Sequence, residues 1–162
     1  MAQSKLEVIY NTYSDAMYYR AYAVLKNRQD AEDAVHTAFV KLSEHMDKLA
    51  EPVSRRTRSF ALIVAENAAI DIYRKRKRCM EIELEEEWVE TAAYEYEGSN
   101  EVVAQILKLP VKFRNVLLLK YVHGYSYAEI GEIMGITGED AKKTGQRAKV
   151  KLEELCREEG IL

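Results

Sequence analysis

Apolar residues recur along most of this chain at intervals of three and four, the period of a helix buried on one face. Leu6, Ile9, Tyr10, Tyr13, Met17 and Tyr18 make a first stripe, and Ala31, Ala34, Val35, Ala38, Phe39, Leu42 and Met46 a second. Asp30 reads as the N-cap of the second helix, with Glu32 and Asp33 in the first turn, where the helix dipole favours carboxylates. Pro52 marks the next start. A third, more apolar helical run covers Phe60 to Tyr73 and is followed at once by Arg74-Lys75-Arg76-Lys77-Arg78.

The period returns beyond residue 100. Leu109-Pro110 predicts a helix from Val111 through Val122, closed by His123-Gly124. Ser126 is placed to cap a short helix, Tyr127 to Met134, and Glu129 completes a capping box. Gly135-Ile136 makes a turn, Thr137 caps again, and a longer helix runs to about Glu158. Helix, tight Gly-containing turn and helix is the helix-turn-helix spacing, which an ordinary helical hairpin shares. Leu117, Leu118, Tyr121, Ile130, Ile133, Met134 and Ile136 are apolar positions suited to a trihelical core, and Gly131 sits where one helix must approach another closely. The Gly131 and Gly135 pair is packing and turn, not a membrane dimer motif.

Composition agrees with an all-α chain. Two Pro and seven Gly in 162 residues leave long stretches for helices, and Leu, Ala, Glu, Lys and Arg are frequent. Eleven Tyr is a high count; at helical spacing most of them read as core. The formal net charge of −3 lacks the basic excess of a typical nucleic-acid binder. That sum hides a segregation, because residues 79 to 105 hold nine acidic residues and no Lys or Arg. Three parts follow: a helical domain over 1–78, an acidic linker over 79–99 and a helical domain over 100–162. The linker is rich in Glu and poor in large apolar residues, as solvated connectors are, although Trp88 and Tyr94 argue for some contact.

The chemistry of enzymes is missing. His36, His45 and His123 have no ligand-like spacing, and Cys79 and Cys156 form no CxxC pair. There is no Gly-rich phosphate loop, Ser elbow or paired His-Glu motif. No catalytic residue, metal, cofactor or small-molecule substrate is expected. Neither a signal peptide nor a run of about 20 apolar residues is visible, so the chain reads as cytoplasmic, without membrane insertion.

Three stretches carry a resemblance: DAEDAVHTAFVKL from Asp30, RSFALIVAENAAIDIYRKRKR from Arg58, and LPVKFRNVLLLKYVHGYSYAEIGEIMGIT from Leu109. In their order, across an acidic linker, they are similar to the sigma factors of bacterial RNA polymerase. The likeness is to the extracytoplasmic-function type, which keeps only the second and fourth conserved regions. It implies a region 2-like helical bundle for 1–78 and a region 4-like helix-turn-helix domain for 100–162. The implied partners are core RNA polymerase, promoter DNA and an anti-sigma factor, and the implied function is promoter recognition without catalysis.

Residue by residue, the resemblance implies a polymerase-clamp contact at Asp33, His36 and Thr37, where the family has an acid followed by Gln and Glu. A solvated acidic first turn is the plainer reading of Asp33. For the −10 element and strand separation it implies Asn67, Asp71, Arg74, Lys75 and Arg76. Cations there also suit a helix C-terminus, though five in succession exceed that need. Phe60 stands at a usual Trp position and reads as core, while Ile63 and Glu66 stand where basic residues are common and are expected to thin the positive surface. For the −35 element the implied residues are Ser126, Lys142, Lys143, Gln146, Arg147 and Lys149, a cationic face opposite Ala141, Ala148, Leu152 and Leu155.

Three positions depart from the pattern. Asp140 replaces a usual Thr, Thr144 a usual Arg and Gly145 a usual Leu. A helical Gly costs ~1 kcal/mol against Ala, and the missing side chain is expected to leave a cavity costing ~2 kcal/mol unless repacked. Two other classes therefore stay open: a stand-alone helix-turn-helix regulator, and a degenerate sigma-like protein that binds polymerase or an inhibitor without reading DNA.

Overall fold

Capping groups set most of the helix starts. In a computed structural model, which describes residues 4–80 and 101–161, Ser4 accepts the Glu7 N–H at 3.1 Å and opens α1, Lys5–Leu25. Asn27, rather than Asp30, caps α2, Arg28–Glu44, by accepting the Asp30 N–H at 3.0 Å. Both residues can cap, but Lys26 in the left-handed region (φ 51°) ends α1 and leaves Asn27 extended at the helix entrance. Asp30 falls within the first turn, buried, and pairs with Arg76. A 3₁₀ turn, Met46–Lys48, follows α2. Ser54 Oγ accepts the Thr57 N–H at 3.0 Å, and α3 then covers Arg55–Met80. It starts earlier than Phe60 and continues through the basic run, since no Pro or Gly interrupts 55–80.

The described residues form two compact units, 4–80 and 101–161. In the first, α1, α2 and α3 each pack on the other two. Every residue from Ser59 to Ile70 is buried, so α3 is the central helix, covered on all sides. Phe60 and Ile63 are fully enclosed, as are Ile9 and Met17 of α1. Ala31, Ala34 and Ala38 are the small residues that let α2 close against them. Arg20 and Glu66 form an ion pair at 3.5 Å with side chains 6% and 1% exposed. The Tyr13 hydroxyl donates to the Ser54 carbonyl and accepts the Ser54 N–H, both at 3.1 Å, tying α1 to the start of α3.

In the second unit, α4 (Glu101–Ile106), α5 (Val111–Leu117) and α6 (Tyr127–Met134) pack against α7 (Gly138–Glu158). The helix expected to reach Val122 changes at Leu118–Val122 into one π turn, closed by His123 N–H to the Leu118 carbonyl at 2.9 Å. Leu117, Leu118 and Leu119 are all fully buried. Burial is continuous from Arg114 to Leu119, across the change from α to π geometry. The change of phase carries Tyr121 outward to 52% exposure, so it is not a core position. Ser126 and Glu129 form the capping box, and Gly135 makes the turn at φ 74°. A Cβ on Gly131 would stand 2.7 Å from the Ile136 carbonyl oxygen, which is the close approach the sequence signalled.

The tyrosines differ from expectation. Among the described residues only Tyr13 and Tyr125 are buried, while Tyr10, Tyr19, Tyr22 and Tyr121 are exposed. A phenol keeps its polar tip in water while its ring covers apolar surface, so helical spacing alone does not place it inside. Among the described residues no helix is long and apolar enough to cross a membrane. The acidic linker, with Trp88 and Tyr94, lies outside the described residues.

Candidate polymerase and nucleic-acid interfaces

Asp33, His36 and Thr37 are exposed together on the outer face of α2, as positions three and four apart must be. Beside them α1 and α2 frame a groove of about 420 Å³ lined by Tyr10, Tyr18, Val35 and Phe39, with Asp15, Glu32 and His36 among them. Tyr10 and Phe39 meet there with ring centroids 5.0 Å apart. The sequence placed both rings in the core.

Along α3 the predicted residues separate by depth. Asn67 is inside the unit at 5% exposure. Asp71 and Arg74 are half-buried, and Lys75 and Arg76 are exposed. Asp71 pairs with Lys75 at 3.1 Å, Arg76 pairs with Asp30, and Lys77 Nζ stands 5.1 Å over the Tyr73 ring. Lys75, Arg76 and Lys77 are thus held by partners on their own unit. Lys41 of α2 belongs to this cluster; burial lowers its pKa, partly opposed by the carboxylates of Asp71 and Glu44. Ile63 and Glu66 lie in the interior and so leave the surface charge unaltered, contrary to expectation.

On α7 the division is sharp. Lys142, Lys143, Gln146, Arg147 and Lys149 are exposed, and Ala141, Thr144, Gly145 and Ala148 are buried. Glu139 pairs with Lys143 at 3.7 Å, which tempers the acid at the helix start. Ser126 is exposed, its Oγ accepting the Glu129 N–H at 3.1 Å.

A further group gathers at one end of this face. Lys149 Nζ lies 5.1 Å over the Tyr121 ring and Lys120 Nζ 4.6 Å over the Tyr127 ring. Interaction with the Lys149 ammonium lowers the pKa of Tyr121 and raises that of the lysine, and Tyr127 acts on Tyr121 in the same direction. Burial raises the pKa of Tyr127 itself. Sequence reasoning found Lys149 and missed Lys120, Tyr121 and Tyr127, because the π turn that aims the first two has no signature in spacing.

A helical unit with a clustered basic end and a separate helix-turn-helix unit with a cationic second helix define a transcription-type, DNA-facing protein. Residues 9–79 match the family model of sigma-70 region 2, and residues 99–152 match that of sigma-70 region 4. The chain is 30% identical to the ECF RNA polymerase sigma factor SigW of Bacillus subtilis, over 93% of this chain and 88% of that protein. It is 26% identical to SigM of the same organism, over 93% and 94%. A solved sigma factor RpoE of Bartonella quintana, in complex with the anti-sigma factor NepR, matches with a TM-score of 0.42 at 19% identity, covering 94% of this chain and 93% of that one. The chain belongs to the extracytoplasmic-function sigma factors of RNA polymerase.

Proposed function

We propose that this chain gives core RNA polymerase its promoter specificity by dividing the work between its two units, residues 1–78 and 100–162, with 79–99 as the connector. The exposed face of Asp33, His36 and Thr37 meets the enzyme's clamp. In the family that clamp is a basic coiled coil, for which an acidic contact is the electrostatic complement. The aromatic groove next to His36 adds apolar surface to the same contact. Arg74, Lys75 and Arg76 hold phosphates of the separated −10 strand. Asp71 places Lys75 through their ion pair. Asn67 is assigned to an unstacked base by resemblance; its burial means that the base displaces covering side chains to reach it.

α7 lies in the major groove of the −35 element, with Gln146 and Arg147 toward base edges and Lys142, Lys143 and Lys149 toward phosphates. Ser126 offers its hydroxyl to a flanking phosphate. No bond is made or broken by this chain; its binding energy goes into selecting DNA and holding it open. It works in the cytoplasm, where an anti-sigma factor covering these surfaces is the regulator expected of it.

The observation that carries this reading is the division of α7 into an exposed cationic side and a buried small-residue side. Runoff transcription with purified core polymerase on a set of genomic fragments tests it. New, discrete start sites are expected. DNA binding without core would point to a stand-alone regulator, and core binding without transcripts to a sigma-like interaction protein.

A further inference from the structure

Gly145 sits in the middle of α7, on its buried side. A Cβ there would stand 2.8 Å from both Cε1 and Oη of Tyr127. The space that a side chain at 145 would fill therefore holds the Tyr127 ring, and the cavity expected at this glycine is occupied. Seated on Gly145, Tyr127 neighbours Tyr121, and Lys120 and Lys149 stand over the two rings. The Tyr121 hydroxyl carries one proton to give.

Its surroundings determine what could accept that proton. Tyr121 is 52% exposed. Lys149 stands 5.1 Å over its ring, and Lys120 stands 4.6 Å over the ring of Tyr127. Interaction with the nearby Lys149 ammonium lowers the Tyr121 pKa, making its hydroxyl a better acid than an ordinary phenol. A polarised O–H donor beside two ammonium groups matches an oxyanion that stays ionised at any working pH, and charge-assisted bonds of this kind are the strong ones.

We propose that Tyr121, Lys120 and Lys149 form a contact for one backbone phosphate of duplex DNA beside the recognition helix, and that Gly145 and Tyr127 are the positioning residues that hold it. The proposal rests on reading the second unit as the DNA-reading domain. It gives the departure at Gly145 a purpose: a larger residue there expels Tyr127 and dismantles the contact.

The test uses holoenzyme assembled from the full chain and core polymerase, on a duplex carrying a start site found by runoff transcription, with Kd measured across a range of salt. Tyr121→Phe, which removes only an exposed hydroxyl, is expected to weaken binding roughly tenfold. Lys120→Gln is expected to reduce the slope of log K against log salt by about one phosphate contact. Gly145→Ala is expected to weaken binding and to move the Tyr121 titration, followed as tyrosinate absorbance against the Gly145→Ala/Tyr121→Phe protein, back up toward an ordinary tyrosine. Wild-type affinity and slope in both Tyr121→Phe and Lys120→Gln, while Arg147→Ala loses binding, would overturn the proposal and leave the DNA reading standing. Failure of wild-type holoenzyme to select any duplex would overturn both. Inorganic phosphate that, at matched ionic strength, lowers wild-type affinity to the Tyr121→Phe level would reassign the site to a free anion and overturn the DNA contact.

Discussion

Arg20 and Glu66 show how a charge can be a core residue. Their side chains are almost fully enclosed between α1 and α3 and lie 3.5 Å apart. Removing one member of such a pair leaves an uncompensated buried charge, which costs about 3–5 kcal/mol, whereas replacing both by apolar residues of similar volume is close to neutral or stabilising. Arg20→Ala is therefore expected to lose about 3 kcal/mol or more in urea unfolding, and Arg20→Met/Glu66→Leu to recover most of it. Equal losses in the two proteins would contradict this account. Lys41 makes a second prediction at this scale. Burial holds its pKa below the usual lysine value, so between the folded and unfolded values the unfolded chain binds more protons. Its protonated form opposes folding at neutral pH, and stability returns as pH climbs from the lowered pKa to the ordinary one. Relative to Lys41→Met, the wild-type chain is expected to gain stability through that alkaline window; a flat difference would refute the effect.

At the scale of elements, two glycines in the helix-turn-helix differ in what surrounds them. A Cβ at Gly131 would meet the Ile136 carbonyl oxygen at 2.7 Å, the Thr137 carbonyl carbon at 2.9 Å and the Gly138 nitrogen at 2.9 Å, all backbone of the turn. Gly131→Ala gains ~1 kcal/mol of helix propensity but forces the turn apart, at a typical overpacking cost of ~1–3 kcal/mol. A lowered thermal midpoint is expected, and a raised one would show that the turn yields. Gly145 faces a side chain instead, which moves at the expense of the contact it supports. Sequence spacing read the first glycine correctly because the requirement is local to a tight turn. It misread the second, since the partner ring lies eighteen residues earlier on α6 and no periodicity links them. The same limit explains Leu118–Val122. Three leucines in a row announce burial, but nothing in their spacing marks the π turn. Caps were legible at Ser126 and Thr137, which directly precede their helices, and ambiguous between Asn27 and Asp30, where two capping side chains compete.

Across the whole molecule, charge rather than hydrophobicity distinguishes the parts. The net value of −3 conceals a basic end on α3, a cationic face on α7 and a stretch of eight acidic residues between the two units. All-α architecture and the division into two helical units could be read directly from stripe length and the scarcity of Pro and Gly. What could not be read was depth: Asn67 lies on α3, whose all-round burial gives no polar face to count from, and Tyr10 lies on α1, where a phenol covers apolar surface from outside. The central claim is that α2 offers its outer face to the polymerase while α7 offers its own to DNA, and the first half can be measured in isolation. Gel filtration of the purified chain with bacterial core polymerase at low salt tests it most directly. Co-elution in a stoichiometric complex is predicted, weakened by Asp33→Lys; a chain that elutes apart from the core enzyme, or an Asp33→Lys protein that binds as tightly as wild type, would contradict it.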